Sequence, residues 1–504
     1  MRADKRLLWI ALLLGCCLVP LVYYYSWWFQ AGRYRSLPLL IVLALAVLYS
    51  GVQMLGNWVL YLSIRPRETH PPPPAGLRVD VLVAACGEPF EMVEETLRAA
   101  CALHGPHLTW LLDDGRDPAL QKLAEGLGAG YLTRAGNAGA KAGHLNAHLG
   151  RFQGEVLAIF DVDHVPEPDF LEKTAGYFAD PRVGFVQVML TFHNRRQSWI
   201  AQAADETSLE FYNPTALGTD GVGSATLMGS NALIRREALL SIGGYQLGLA
   251  EDLATSIALH AAGWRSVYVA EPLAPGIAPP DLAAWFTQQL KWARGVFELL
   301  LTAYPRSFRR LTWGQRLSYA VRMTKYWIGP AVFLHLLATI LVLIFADFQT
   351  RAAFHAYLDH LAPLVAADVL IRQAALRLWG HAAASRASLA RALVLVYATW
   401  PVYLLAWGMA VLRAPLSFRP TPKLAGGNLN PLWLLPQVAA IFFLAGGALY
   451  TVLVEGHSLS LLLAFSIVQA FFQLAILANW LSWRTFKKRR DRALRARPVG
   501  RANS

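Results

Sequence analysis

The distribution of apolar residues constrains this chain more than any other feature of its sequence. A helix needs about 20 mostly apolar residues to cross a lipid bilayer. Two such runs precede a stretch of ordinary polarity at residues 77–301 and four follow it, at residues 7–29, 39–64, 326–348, 392–412, 435–454 and 459–483. The composition agrees, because only 16% of the residues are charged, against roughly a quarter in ordinary soluble domains. We therefore predict a soluble domain inserted between membrane-spanning helices.

The net charge of +13 collects at the ends of the apolar runs, so we expect no nucleic-acid partner. Basic residues precede the first run, and seven more follow the last one between Lys487 and Arg497. Basic flanks mark the cytoplasmic side of membrane helices, which predicts a cytoplasmic domain and a basic cytoplasmic tail at 485–504. Segment 351–391 does not fit the rule on basic flanks. With six spanning runs it would lie outside the cytoplasm, although it carries several arginines. Its portion 352–378 is open to a second interpretation, as an interfacial or re-entrant helix.

Strands and helices alternate in the soluble stretch. After a proline spacer at residues 71–74, strand-like runs occur at 79–85, 108–112 and 155–160, and a helical pattern occupies 90–103. Such alternation predicts a parallel sheet covered by helices. Ligands of these sheets bind beyond the carboxyl ends of the strands.

Acidic residues follow two of the predicted strands, as Asp113-Asp114-Gly115 and Asp161-Val162-Asp163. An Asp-Asp-Gly turn alone is ordinary, but two acidic clusters at strand ends are expected to converge on one crevice. Magnesium prefers one or two carboxylates plus substrate phosphate oxygens, so a cation would link these acids to a phosphorylated ligand. Neither a dinucleotide fingerprint nor a Walker sequence appears, which argues against dehydrogenases and ATP-driven transporters.

The chain carries four motifs in succession, namely Asp113-Asp114-Gly115, Asp161-Val162-Asp163-His164, Glu251-Asp252 and Gln288-Gln289-Leu290-Lys291-Trp292. In this order they resemble the D, DxD, (T/E)ED and QxxRW series of processive family 2 glycosyltransferases, and most of all cellulose synthases. Further similar stretches occur at 139–146, 229–236 and 259–265, so that the resemblance covers residues 79–295. It implies an α/β GT-A (Rossmann-like) glycosyltransferase domain inserted between transmembrane α-helices.

The predicted division of the chain follows from the apolar runs and this resemblance. Two transmembrane helices occupy 1–70, the cytoplasmic GT-A domain 71–300 and an interfacial amphipathic segment 301–325. About four transmembrane helices occupy 326–484, with a gating-type loop near 415–432.

The resemblance also implies roles for individual residues on the donor side. Asp113, with Asp114 beside it, matches the acid that contacts the uridine, and Asp161 and Asp163 match the pair that holds Mg²⁺ or Mn²⁺ on the diphosphate. Asp252 matches the general base of an inverting transfer, although an acid at this place also suits a helix N-cap. Further substrate-binding positions are implied at Glu88, Lys141 and Glu251.

Gln288, Lys291 and Trp292 match the acceptor-binding helix, where an indole face stacks on a sugar ring. An amphipathic helix on the membrane surface is the alternative interpretation. Position 291 departs from the family, which has arginine there, and lysine keeps the charge but loses the bidentate geometry. Arg294 lies one helical turn further on.

Residues 417–423 resemble the FxVTPKG gating loop of cellulose synthases, which implies that Thr421 and Lys423 contact the substrate. An ordinary proline-rich connector is the alternative. A face of four aromatic residues is a candidate lining for a polymer channel, namely Tyr397, Trp400, Tyr403 and Trp407. The short tail after the last run leaves no room for a PilZ domain, so we expect no c-di-GMP regulation through one.

The implied function is inverting transfer of sugar from a nucleotide sugar to a growing β-glycan, which is also carried across the membrane. UDP-glucose is the default donor, and UDP-N-acetylglucosamine and GDP-mannose stay open. One alternative adds single sugars to a lipid or lipid-linked acceptor, and another is an inactive transporter or scaffold. We expect a multi-pass protein of the bacterial inner membrane with its catalytic domain in the cytoplasm, in contact with donor, glycan acceptor, lipid bilayer and accessory synthase subunits.

Overall fold

A seven-stranded mixed sheet forms the centre of the soluble domain. The computed structural model describes residues 5–30, 37–67, 69–345, 354–380, 390–417, 420–453 and 461–495. The sheet has the order β3-β2-β1-β4-β7-β5-β8 and consists of β1 (Val79–Ala85), β2 (His107–Asp113), β3 (Gly130–Leu132), β4 (Val156–Asp161), β5 (Val183–Val188), β7 (Ala232–Arg235) and β8 (Arg265–Val269), while β6 (Thr191–Phe192) and β9 (Pro275–Gly276) pair separately.

Ten helices of the described residues surround this sheet or lead from it to the membrane helices. They are α3 (Phe90–Cys101), α4 (Pro118–Gly126), α5 (Ala140–His148), α6 (Phe170–Thr174), α7 (Trp199–Glu210), α8 (Ala216–Gly221), α9 (Arg236–Ser241), α10 (Glu251–Ala261), α11 (Leu282–Leu301) and α12 (Ala303–Ser307). The remaining helices are α1 (Lys5–Trp28), α2 (Leu37–Leu62), α13 (Trp313–Thr324), α14 (Ile328–Phe345), α15 (Phe354–Trp379), α16 (Ala390–Ala398), α17 (Trp400–Val411), α18 (Leu435–Leu453) and α19 (Leu461–Arg495).

The central strands are apolar without interruption because helices cover both faces of the sheet. Val83 of β1 packs in one layer with Val93 and Leu97 of α3. Its neighbour Leu82 packs in the opposite layer with Leu145 of α5. The predicted α/β domain is therefore confirmed, and the three strands predicted from the sequence, β1, β2 and β4, are parallel. Strand β7 runs antiparallel to both β4 and β5, and hydrophobic patterns do not encode strand direction.

Five helices in the described parts of the chain are long and apolar enough to cross a membrane, or six if a bent pair counts as one span. They cover Lys5–Trp28, Ala44–Leu62, Trp313–Leu341, Pro431–Tyr450 and Ser466–Thr485. The bent pair is α16 and α17, whose axes differ by 46°.

Helix α15 has 26 residues and lies along α1 in antiparallel orientation. Cys17 Sγ contacts the Ala367 carbonyl at 3.8 Å, and Tyr23 stacks on His360 with ring centroids 4.0 Å apart. The domain-side end of α15 is anchored by an ion pair between Arg372 and Glu210, the last residue of α7. Segment 352–378, for which the sequence analysis left open an interfacial or re-entrant helix, thus contains a helix that packs against α1 over much of its length.

Both ends of the α16–α17 pair contact the soluble domain. Arg391 pairs with Glu206 of α7 at 2.5 Å, and the Ala414 carbonyl accepts a hydrogen bond from Arg294 of α11 at 3.2 Å. The bent pair therefore begins and ends beside the soluble domain, and α15 is not among the described helices that are long and apolar enough to cross a membrane. Arg372 and Arg391 both lie next to the soluble domain, where each pairs with a glutamate of α7.

Candidate active site

One cavity of about 1880 Å³ collects most of the predicted site residues. It begins beyond the carboxyl ends of β1 and β4, passes α10 and α11, and continues between α2, α14 and α15. Of the predicted residues, those that line it are Glu88, Asp114, Lys141, Asp161, Asp163, Glu251, Asp252, Gln288, Lys291, Trp292, Thr421 and Lys423.

Asp113 does not line this cavity, because it is fully buried and its carboxylate is used within its own loop. One oxygen accepts from the Gly115 amide at 2.7 Å, and the other accepts from the Asp117 amide at 2.8 Å and the Tyr131 hydroxyl at 2.9 Å. It therefore shapes the turn that follows β2.

Asp114 faces the cavity and is held by two residues that were not predicted as site residues. Arg134 binds its two oxygens at 2.7 and 2.8 Å, and His144 Nδ1 lies 2.9 Å from Oδ1. Burial lowers the pKa of His144 to about 4 although Asp114 opposes this, so the neutral ring donates its Nδ1–H. His144 lies inside a family-like stretch, whereas nothing local in the sequence marks Arg134.

Two lysines neutralise the aspartates at the carboxyl end of β4. Lys141 Nζ lies 2.7 Å from Asp161 Oδ1 and also donates to the Gly229 carbonyl at 2.6 Å. Lys423 Nζ lies 2.7 Å from Asp163 Oδ2. Burial would raise the pKa of Asp161, but Lys141 and Lys423 outweigh it and hold the pKa below its usual value.

The aspartate pair fits a divalent cation. Asp163 Oδ1 is buried and has no hydrogen-bond partner within the described residues, which is costly for an ionised oxygen. Within those same residues no cluster of three or more protein side chains could hold a metal ion. Mg²⁺ and Mn²⁺ with two carboxylates complete their coordination with phosphate oxygens and water, so this donor set suits a cation brought together with a nucleotide.

Glu251 and Asp252 form an acidic pair at the start of α10. Burial raises the pKa of both carboxyls, and repulsion from Asp252 contributes to the value of about 7 for Glu251. Ala250 is the N-cap of α10, and Asp252 accepts a hydrogen bond from the adjacent Leu253 amide at 2.7 Å. The alternative of Asp252 as N-cap is therefore wrong, and its side chain lines the cavity from the first helical turn.

Helix α11 presents Gln288, Lys291 and Trp292 to the cavity, and the Trp292 side chain is 38% exposed there. Burial lowers the pKa of Lys291, with Glu251 and Asp161 opposing the shift. The Arg294 guanidinium, which also borders the cavity, donates to Glu298 at 2.8 Å and to the Ala414 carbonyl at 3.2 Å.

The loop predicted near 415–432 lies against the domain, and its residues 418 and 419 fall outside the described residues. Asp281, which caps α11, accepts from the Gly426 and Gly427 amides at 3.0 and 2.9 Å. Thr421 and Lys423 line the cavity between this anchor and the aspartate pair.

The four aromatic residues predicted to line a polymer channel do not line the cavity together. Only Tyr403 borders the cavity, and it donates to Gln289 at 2.9 Å. Trp400 stacks on Phe333 and Trp407 packs edge-on against Phe297. The membrane part of the cavity is instead lined by scattered polar residues of α2, α14 and α15, including Gln53, Asn57, His335, Asp368 and Arg372.

Two family descriptions match the chain. Residues 74–295 match Glycosyltransferase like family 2, and residues 237–358 match Cellulose synthase. The cellulose synthase catalytic subunit [UDP-forming] of Pseudomonas fluorescens (strain SBW25) is 34% identical over 277 residues, which is 53% of this chain and 37% of that protein. Cellulose synthase 2 of Novacetimonas hansenii is 34% identical over 257 residues, which is 49% of this chain and 16% of that protein. The chain thus spans well under half the length of these curated relatives.

A solved structure supports the fold. Mannosyltransferase PcManGT from Pyrobaculum calidifontis, in complex with GDP-Man and Mn²⁺, has 18% sequence identity and a TM-score of 0.51, covering 74% of this chain and 100% of that one. At this identity the likeness concerns the fold alone, and it confirms the predicted GT-A architecture. This chain therefore carries a GT-A domain of the glycosyltransferase family 2-like type, related to the cellulose synthases.

Proposed function

We propose that this chain is an inverting glycosyltransferase that moves sugar from a nucleotide sugar to a growing β-glycan and carries the polymer across the membrane. The observation that supports this best is the single cavity. It joins the Asp161–Asp163 pair, the Glu251–Asp252 pair and helix α11, and then continues between membrane helices.

On the donor side, Asp161 and Asp163 would hold Mg²⁺ or Mn²⁺, which when bound neutralises charge on the leaving diphosphate. Lys141 and Lys423, each 2.7 Å from one of these carboxylates, are placed to bind diphosphate oxygens. Several of the similar cellulose synthase catalytic subunits are UDP-forming, which supports a UDP-sugar as donor, with UDP-glucose as the default.

On the acceptor side, Asp252 takes the proton from the attacking hydroxyl. The oxygen forms its bond to the anomeric carbon from the face opposite the diphosphate, whose C–O bond breaks with the electron pair leaving on the nucleotide. This single displacement inverts the anomeric centre. Because burial raises the pKa of Asp252, its carboxylate is a stronger base than an exposed aspartate. Trp292 is placed to stack on the acceptor sugar.

The partners and location follow the same proposal. Bacterial cellulose synthases among the relatives support a bacterial inner-membrane protein with the catalytic domain in the cytoplasm and with accessory synthase subunits. The polymer would leave through the part of the cavity between α2, α14 and α15.

A polymerisation assay on the purified chain in lipid vesicles tests the proposal. Each radiolabelled nucleotide sugar is supplied separately with Mg²⁺ or Mn²⁺, and nucleotide release and ethanol-precipitable polymer are measured. We expect polymer from one donor, and a loss of at least about 100-fold in Asp252→Asn with an unchanged melting temperature. Label found only in the lipid extract would replace the synthase with a single-sugar transferase, and the absence of metal-dependent turnover with every donor would contradict both.

A further inference from the structure

A basic and aromatic surface lies where the soluble domain meets the membrane helices. We call it the 306–317 surface, and it comprises the end of α12, the turn that follows and the first turns of α13. Its exposed basic, aromatic and aliphatic side chains are Arg306, Phe308, Arg309, Arg310, Trp313 and Leu317.

The charge of this surface is of one sign. Residues 301–325 contain six basic residues and no acidic one. The exposed side chains of Arg306, Arg309 and Arg310 make no ion pair within the described part of the chain. Elsewhere on the domain surface exposed arginines often have acidic neighbours, as Arg98 has Glu94 at 2.7 Å. The missing counter-charges indicate an anionic partner.

The aromatic rings of the surface are exposed, and both pack against the guanidinium of Arg316. The Arg316 guanidinium lies 4.7 Å from the Phe308 ring centroid and 4.5 Å from the Trp313 ring centroid. Arg316 also donates to the Phe308 carbonyl at 2.8 Å, and a capping box between Thr312 and Gln315 fixes the start of α13. Trp313 is nevertheless 78% exposed. Tryptophan is enriched at membrane–water interfaces, and an exposed indole beside basic residues suits such a position.

The position of α13 places the Phe308 and Trp313 rings where the soluble domain meets the membrane helices. Gln53 of α2 donates to Thr324 Oγ1 at 2.7 Å, so the end of α13 lies beside the middle of α2. The start of α13 lies closer to the soluble domain, because Gly314 packs against Val222, the residue that follows α8. Trp313 is therefore close to the domain-side end of α2, with Leu317, 41% exposed, one turn nearer the bilayer centre.

From these observations we propose that the 306–317 surface binds the phosphate head groups of anionic phospholipids. Arg306, Arg309 and Arg310 contact the phosphates, while Trp313 and Leu317 enter the boundary of the acyl chains. A basic flank that only sets the orientation of a membrane helix would show no preference for one head group. Binding at this surface predicts such a preference, and it is independent of the catalytic proposal.

The test measures lipids retained by the full chain in detergent, by native mass spectrometry with equal amounts of phosphatidylglycerol and phosphatidylcholine. We expect the wild type to retain mainly phosphatidylglycerol. Arg309→Gln with Arg310→Gln should lower this preference by about fivefold for each arginine. The matched control is Lys122→Gln with Arg151→Gln, which removes two exposed cations from α4 and from the turn after α5 and should leave the preference unchanged.

Two further measurements keep the result unambiguous. Trp313→Ala should reduce retention of both lipids, and the melting temperature of each variant shows whether it is folded. Inorganic phosphate at matched concentration should fail to displace the lipid, since a free-anion site would release it. An unchanged preference in the Arg309/Arg310 variant, an equal loss in the control, or displacement by phosphate would each overturn the proposal.

Discussion

Lys423 occupies the position next to Asp163 that a divalent cation would need. Its ammonium lies on one carboxylate oxygen at 2.7 Å while the other oxygen is buried without a partner. A tethered lysine and a metal ion therefore compete for the same charge. Lys141, which also bonds the Gly229 carbonyl, is held more firmly on Asp161.

We predict that Lys423→Met raises the affinity for Mn²⁺ in the absence of nucleotide by about tenfold, because one buried positive charge is removed from the site. Isothermal titration of the detergent-solubilised chain with Mn²⁺ measures it. Lys122→Met, which removes an exposed lysine distant from the aspartates, serves as the control. Equal or weaker Mn²⁺ binding by the Lys423 variant would show that the lysine does not compete with the metal.

The acidic pair of α10 leads to a prediction about pH. Burial raises the pKa of Asp252 above its usual value, and it raises the pKa of the adjacent Glu251 to about 7. A protonated Asp252 cannot accept the acceptor proton, so we expect the acidic limb of kcat/KM to lie at higher pH than the usual pKa of an aspartate would give. Glu251→Gln removes a like charge and should move this acidic limb to lower pH. If the acidic limb of the pH–rate profile stays at the same pH in Glu251→Gln, the limb reports the titration of a group outside this acidic pair.

At the scale of elements, the contacts of α15 and of the α16–α17 pair lead to a prediction that α15, instead of residues 392–412, returns the chain to the domain side of the membrane. Helix α15 follows α1 in antiparallel orientation, and both ends of α16–α17 are tied to the domain through Arg391 and Ala414. Residues 392–412 are apolar enough for a span, but much of this apolar surface is covered by α11, α7 and α14. An apolar composition shows that a segment avoids water. It does not show whether the segment is surrounded by protein or by lipid.

This topology predicts that position 380, at the end of α15, lies on the same side of the membrane as the domain. Gly380→Cys and Lys122→Cys are introduced separately into a cysteine-free variant. Both cysteines should react with a membrane-impermeant maleimide when the reagent reaches the domain side of the membrane, and neither should react when it does not. Labelling of Gly380→Cys from the opposite side would restore residues 392–412 as the returning span.

At the scale of the whole molecule, the cavity connects the acidic pairs of the domain to polar residues among the membrane helices. Asn57 borders it from α2, whereas Val52 on the same helix is 61% exposed on its outer surface. If the glycan passes between these helices, its passage depends on the open volume at Asn57 and is insensitive to side chains at Val52.

We therefore predict that Asn57→Trp stops chain extension and leaves short products, while release of nucleotide from the first transfers continues. Val52→Trp adds the same indole on the outer face and should leave product length unchanged. Gel filtration of the labelled product measures the chain length. Long polymer from the Asn57 variant would mean that the glycan takes another path.

The sequence by itself determined those features that depend on neighbouring residues. Apolar runs reveal helices that leave water, and acids at the carboxyl end of a strand, such as Asp161 and Asp163, lie at the edge of the sheet where ligands bind. Tertiary structure alone decided that Asp114 faces the cavity while Asp113 shapes a turn, and that Lys423 reaches Asp163 across 260 residues of sequence. It also decided that α15 packs along α1 and that Arg134 holds Asp114. These outcomes depend on packing between distant segments, whose free energy no local pattern of residues encodes.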